Sequence, residues 1–109
     1  MPNYSKNTVI LVSYPFSDLS NVKVRPAVVV NSPHISQDVL IVTLTSQVSS
    51  LLEGEFVLSE WSAAGLNIAT AVKRGIYTVN SSLVIKIVGK LADVDSDRID
   101  QSLLFWLGI

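Results

Sequence analysis

Cysteine is absent from this chain, and histidine occurs once, at His34. The first absence excludes a disulfide framework, a thiolate nucleophile and a thiolate metal site. The second leaves a lone imidazole in the turn NSPHISQD with no other histidine or cysteine to join it at a metal. His34 is therefore expected to be a solvent-facing turn residue, and a Ser-His-Asp triad drawn through it has no specific spacing behind it. Charge is sparse too. Only 16% of the residues are charged and the formal net charge is -1, so the chain as a whole lacks the positive excess of a nucleic-acid coat. No phosphate-binding glycine loop of the P-loop or dinucleotide type occurs. Apolar runs are short: the first ends before Pro15, which suits neither a secretory leader nor a membrane span and makes a reducing cytoplasm the expected location.

What is present is apolar and β-branched. Hydrophobic residues make up 49% of 109 residues, enough for one core and too many for a disordered chain. Without a linker, repeat or low-complexity tract, residues 1–109 read as a single domain. TVILVSY (8–14), VKVRPAVVV (22–30) and DVLIVTLT (38–45) are bounded by Asn, Ser, Pro or Asp and read as strands. GEFVLS (54–59), IATAVKRGIYTV (68–79, bent at Gly75) and LVIKIVGKL (83–91) complete a set of candidate strands. SEWSAAGL (59–66) reads as a short helical turn stopped by Gly65. Past DVDSDR the period changes, with Ile99, Leu103, Trp106 and Leu107 at helical spacing, and Asp95 or Ser96 is the expected cap, with Asp97 near the positive end. No connection between strands is long enough for helical crossovers. The expected fold is therefore mainly β, a small strongly curved barrel with a C-terminal α-helix.

The two signs of charge are segregated. Six of the eight bases fall at Lys23, Arg25, Lys73, Arg74, Lys86 and Lys90, whereas the acids concentrate at Glu53, Glu55 and Glu60 and again from Asp93 to Asp100, so a basic face on an acidic molecule is open to this chain. Three stretches carry possible chemistry. In KVRPAVVV, Pro26 disfavours helix at Arg25 and sets it where extended chain enters a buried strand. From periodicity alone, Lys23 and Arg25 read either as a site or as the solvated face of that strand. In TLTSQVSS (43–50) a strand ends in hydroxyls and an amide, which reads as a site or as turn formers. In TAVKRGIYT, Lys73 and Arg74 are adjacent, and adjacent strand residues point to opposite faces, so only one can reach a given groove.

Taken in order, VILVSYPFSDLSNVKVRPAVVV and VLIVTLTSQ resemble the MazF/PemK (Kid) toxins of type II toxin-antitoxin modules. Those proteins share a strand, PF(T/S)D, a variable loop, K-x-R-P-(A/V)-V-V and a third strand ending in Thr followed by Ser, Thr or Gly. AGLNIATAVK, VGKL and the terminal helix fit more loosely. The resemblance implies an SH3-like (CcdB/PemK-like) barrel, dimeric, that cleaves single-stranded mRNA at short sequences without a metal or other cofactor. It also implies an antitoxin partner whose acidic tail lies over the basic groove. Arg25 and Thr45 match the family's catalytic positions, and Lys73 lies where members place a further basic residue. Lys6-Asn7 replaces the strand-opening Gly-Asp of many members, and Gly75 stands where some carry an acid, which leaves the general base open.

The implied reaction has the 2′-hydroxyl attack the adjacent phosphorus, so that charge must be stabilised on phosphoryl oxygens and two protons moved. A guanidinium meets two phosphate oxygens with a planar fork, and Arg25 takes that role. Thr45, with Ser46 and Gln47, can donate hydrogen bonds to the same phosphate. Asp18 is a candidate base or a turn residue. Phe16 is a stacking platform for a splayed base or a core residue. Lys23 and either Lys73 or Arg74 would contact phosphates. Trp61 and the terminal LLFWLGI read as dimer interface or as core. The rival functions are a non-enzymatic, CcdB-like gyrase inhibitor and a plain SH3-like binding module, which the fold alone does not separate.

Overall fold

Alternating β-branched residues build six antiparallel strands in the computed structural model, which describes residues 4–14, 23–32 and 35–109. The strands are β1 (Thr8–Tyr14), β2 (Lys23–Val29), β3 (Asp38–Thr45), β4 (Phe56–Val57), β5 (Ala71–Asn80) and β6 (Val84–Lys90), followed by one helix, α1 (Asp93–Leu107). The bounds of β1 and β3 match the sequence reading. That of β4 shrinks to two residues, because only Phe56 and Val57 pair with β5. The roles read for Phe16, Asp18 and His34 fall outside the described residues.

The strands form one sheet in the order β4-β5-β3-β2-β1-β6. The expected barrel is corrected in this respect: the ladders do not close, since β4 and β6 stand at the two edges. The sheet is nevertheless sharply curled. In a flat sheet, the β3–β5 and β1–β6 registers would hold Asn80 and Val84 about 30 Å apart, at about 4.8 Å per strand and 3.3 Å per residue. The single 3-10 turn Ser81–Leu83 joins them, and four residue steps span at most about 14 Å. The sheet must therefore wrap round one face.

That inner face carries Ile10, Val12, Ala27, Val29, Val39, Ile41 and Val79, all buried, with Leu83 and Val84 brought against them by the turn. The other face carries Val9, Val28, Val42, Leu44, Phe56, Leu58, Val72 and Leu91, and α1 covers it through Ile99, Leu103 and Trp106. Strand alternation sorts one run of aliphatics into two cores.

The helix begins earlier than its sequence signals suggest. Its N-cap is Ala92, with no side-chain capping bond, so neither Asp95 nor Ser96 caps it. Asp95 is instead fully buried, and its carboxylate accepts from the backbone N–H of Ser59 (2.8 Å) and of Glu60 (2.9 Å). It thereby caps the neighbouring turn, which runs as expected to Gly65 at φ 92°. The other helix end is stopped by Gly108 in the left-handed conformation, its N–H reaching back to Leu104 and Phe105. Between these ends Ser102 Oγ donates to Gly54 O (2.7 Å) and Trp106 Nε1 to Glu53 O (3.1 Å), which ties α1 to the turn before β4. Trp61 and Trp106 are thus partly buried and packed against the core of the helix face, while Leu104, Phe105, Leu107 and Ile109 are exposed.

Candidate nucleic-acid interface

Pro26 shapes the site by what it cannot donate. Alternate residues of β2 direct their N–H groups toward β3, as Val30 N does to Leu40 O at 2.9 Å. Position 26 belongs to that alternate set, and proline has no N–H to offer. The β2–β3 ladder accordingly runs from Val29↔Ile41 to Ala27↔Thr43 and stops there, while β2 goes on pairing with β1 as far as Lys23. The end of β2 and the end of β3 are left as two lips of an opening. By strand alternation Arg25 lies on the inner face with Ala27, and Thr45 on the inner face with Thr43, two residues beyond the last pair.

Burial along β2 falls from the core outward: Val29, Val28 and Ala27 are buried, Pro26 is partly covered, and Arg25, Val24 and Lys23 are exposed. Along β3, Leu44 and Thr43 are buried, Thr45 is partly buried and Ser46 and Gln47 are exposed. Arg25 is thus exposed at the outer end of a strand whose inner end is buried, and Thr45 is partly buried at the end of the next strand. Thr45 Oγ1 accepts from Gln47 N at 3.1 Å, so its rotamer is fixed by its own turn and its hydrogen points away from that bond. Gln47 contributes here through its backbone.

The third lip is β5. Opposite Thr43 the β3–β5 ladder slips between Val42↔Ile76 and Leu44↔Val72, and the residues that bulge out are Lys73, Arg74 and Gly75. Glu55 holds this irregularity: one carboxylate oxygen accepts Arg74 N at 2.8 Å and the other accepts Leu52 N at 2.7 Å. The two adjacent bases separate as the alternation requires. Arg74 lies on the helix side, lining a groove with Leu52, Phe105 and Trp106. Lys73 alternates with it onto the side of Ala71, which pairs with Thr45. Lys23, Arg25 and Lys73 therefore share the inner side of the sheet with Thr45, all three exposed. No described acid forms a salt bridge with them; the ion pair among the described residues, Lys6–Asp100 at 2.9 Å, is elsewhere.

Thr43 and Tyr77 were not singled out from the sequence, and Gly75 was read only as a bend and as a departure from the family pattern. Thr43 is two residues before Thr45 and so shares its face, and it is only 8% exposed. A Cβ at Gly75 would meet Thr43 Oγ1 at 2.7 Å and Tyr77 Cε2 at 3.0 Å, so the hydroxyl and the ring occupy the space that a side chain would fill. The sequence signal was the period-2 spacing of Thr43 with Thr45 and of Gly75 with Tyr77. Another groove lies on the helix face, between Glu53, Glu55, Phe56, Arg98 and Phe105, with the Arg98 guanidinium 4.1 Å above the Phe56 ring. Among the described residues no three His, Cys, Asp or Glu side chains gather in a way that could hold a metal ion.

A small curled sheet with one covering helix, whose uncovered strand ends bring an arginine, a lysine pair and a threonine hydroxyl to one side, defines a class of small β proteins with a cationic rim suited to an anionic ligand. The profile of the PemK-like, MazF-like toxins of type II toxin-antitoxin systems matches residues 6–107, and the chain belongs to that family. Among proteins of curated function none matches the sequence. Its fold is similar to that of an endoribonuclease from a mycobacterial species (18% identity, 100% of this chain and 95% of the other, TM-score 0.79). The same holds for a mycobacterial endoribonuclease in complex with its cognate antitoxin (17%, 97% and 96%, 0.79). A MazE–MazF complex from Deinococcus radiodurans is similar at 12% identity, over 100% of this chain and 99% of the other, with TM-score 0.74.

Proposed function

We propose that this toxin is a metal-independent, sequence-specific endoribonuclease that cleaves single-stranded mRNA. The observation that carries the reading is the end of the β2–β3 ladder at Ala27↔Thr43, beyond which exposed Arg25 and partly buried Thr45 continue on one face by strand alternation, with Lys23 and Lys73 on the same side. A ribose 2′-oxygen attacks the adjacent phosphorus, the bond to the 5′-oxygen breaks, and a 2′,3′-cyclic phosphate and a 5′-hydroxyl result. Arg25 neutralises the charge that gathers on the non-bridging oxygens, and Thr45 donates to one of them. The proton of the 2′-hydroxyl passes to a base, for which Asp18 remains the candidate, and the leaving 5′-oxygen takes one up. Lys23 and Lys73 hold flanking phosphates, Ser46 and Gln47 line the β3 lip, and Phe16 receives a base.

The curled sheet is read as an SH3-like barrel opened between β4 and β6, because the short β5–β6 connection enforces most of the closure. The exposed Leu104, Phe105, Leu107 and Ile109 support a homodimer that would cover them. Since one similar structure is an endoribonuclease in complex with its cognate antitoxin, an acidic antitoxin segment competing for the Lys23–Arg25–Lys73 rim is the expected means of neutralisation. No described helix is long and apolar enough to cross a membrane, and action on mRNA would place the protein in the cytoplasm.

The test is incubation of the purified protein with mixed-sequence RNA in EDTA, followed by sequencing of 5′-hydroxyl ends. Ends clustered at one short motif, and lost in Arg25→Ala with the fold retained, are expected. Intact RNA, or cleavage indifferent to Arg25, refutes the reading; inhibition of gyrase supercoiling instead would select the CcdB-like alternative.

A further inference from the structure

Past Phe56↔Val72 the β4–β5 ladder would continue with Glu55 opposite Lys73 and Gly54 opposite Arg74, but β4 ends at Phe56 and the chain turns away through Gly54 at φ 87°. The side chain of Glu55 takes over from the missing strand. One oxygen accepts Arg74 N at 2.8 Å and the other accepts Leu52 N at 2.7 Å, while Glu55 N donates back to Leu52 O at 2.9 Å and closes the turn on itself. That turn is fastened to α1 by Ser102 Oγ on Gly54 O and Trp106 Nε1 on Glu53 O. The partly buried carboxylate is thus anchored at its base and held by two backbone donors.

What it holds is the place where β5 leaves one register for another. Unbroken, the pairing through Val42↔Ile76 would set Lys73 opposite Thr45; the observed pairing sets Ala71 there and leaves Lys73, Arg74 and Gly75 against Thr43 alone. The shift is two residues, so every side chain keeps its face and alternation does not choose between the registers. Burial of Val72 with Leu44 and Phe56 fixes the strand on one side of the bulge. Inside the bulge, the N–H of Arg74 belongs to the planar peptide unit that begins at the Lys73 carbonyl. Holding that plane sets how the Lys73 side chain leaves the strand, and the bond is to backbone, not to the Arg74 guanidinium.

We propose that Glu55 is a positioning residue for RNA: its carboxylate fixes the Lys73–Arg74 peptide so that Lys73 meets a phosphate flanking the scissile one. This inference rests on the ribonuclease reading above, and it predicts a sign that charge alone does not give. An acid that merely sits near a cationic rim repels RNA, and its removal tightens binding. Removal of Glu55 is expected to weaken it.

Binding is measured to a cleavage-site RNA with a 2′-deoxyribose at the scissile position, over a range of salt. Glu55→Ala should weaken binding about fivefold at about 0.1 M salt and reduce the slope of log affinity against log salt by about 0.7, the worth of one phosphate contact on a single strand. Glu55→Gln, neutral but retaining one acceptor, should recover part of the loss. In a Lys73→Ala background, Glu55→Ala should cost nothing further. Glu53→Ala makes the same charge change in the same turn from an exposed side chain and should bind at least as tightly as the parent. Hydrogen exchange on the free protein reads the clamp without RNA: Glu55→Ala should speed exchange at the Arg74 amide while Val28 and Val42 stay protected. Binding by folded Glu55→Ala as tight as the parent or tighter, an equal loss in the Lys73→Ala background, or an Arg74 amide that exchanges alike with and without the carboxylate overturns the proposal. Should Glu55→Ala fail to fold, Glu55→Gln carries the same comparisons. If the parent cleaves RNA in an Arg25-dependent way while these results fail, only the positioning role falls; if the parent neither binds nor cleaves RNA, the ribonuclease reading falls first and this role with it.

Discussion

Replacing Asp95 by alanine removes a carboxylate that no solvent reaches and that holds two elements together. Both of its oxygens are used, on Ser59 N at 2.8 Å and Glu60 N at 2.9 Å, and it is the fully buried acid that joins the first turn of α1 to the 59–66 turn. A hydrogen bond to a charged group contributes about 1.5–3 kcal/mol, and the two backbone donors would be left without their partner in a closed space. The loss should come to about 3–5 kcal/mol, a large share of the 5–15 kcal/mol or so that holds a typical domain folded. At about 4–8 °C per kcal/mol for a domain near this size, the melting temperature of Asp95→Ala should fall by about 15 °C or more. Urea unfolding should show a lower midpoint at an unchanged m-value, because the surface exposed on unfolding is the same. Asp95→Asn should fall between parent and alanine, as its amide NH2 would face one of the two N–H donors. Asp97→Ala is the control: it makes the same charge change on the same helix from an exposed position and should stay within about 0.5 kcal/mol. If Asp95→Ala melts within about 4 °C of the parent, or no lower than Asp97→Ala, then the carboxylate is not the tie between helix and turn.

Three further outcomes are expected. Arg25→Ala should cut RNA cleavage by about 100-fold or more with the melting temperature unchanged, since the side chain is exposed and stabilises charge formed only during reaction; retained cleavage in a single-turnover assay refutes this. Lys73→Ala should weaken RNA binding and reduce the slope of log affinity against log salt by about one, whereas Arg74→Ala, on the helix side, should leave the slope as it is; equal slopes would contradict the sorting of the pair. Gly89→Ala should destabilise the fold by about 2 kcal/mol or more in chemical denaturation, because the added Cβ would collide with the backbone carbonyl of Ala64; a neutral effect would show that the turn can move off β6.

The elements most legible in the sequence were those whose physics is local. β1 and β3 could be bounded to the residue because β-branched runs end in polar turn formers, and Gly65 marked the end of its turn through a left-handed backbone. The start of α1 was misjudged for a matching reason. DVDSD offers several side chains able to cap, and Asp95, one of the two expected caps, is spent on backbone donors 36 and 35 residues away, which no local pattern reports. The barrel was only half legible: strand number and curvature followed from the short connections, but whether the edges meet depends on how few residues of β4 pair. For the proposed site, Arg25 and Thr45 were named from the resemblance of their motifs. The close approach of Thr43 and Tyr77 to Gly75 was not legible, since it joins two strands distant in the chain.

By itself the sequence determined the alternation of the strands, the proline that stops a ladder, the separation of acids from bases and the membership of the family, because each is a property of neighbouring residues or of composition. The tertiary structure decided which face each alternation serves, that Lys73 and not Arg74 shares the side of Arg25 and Thr45, that Asp95 caps a distant turn, and that a ring edge of Tyr77 comes close to Gly75. These depend on register and on a bulge held by Glu55, and a shift of one residue in pairing exchanges the two faces of a strand while leaving every local preference satisfied.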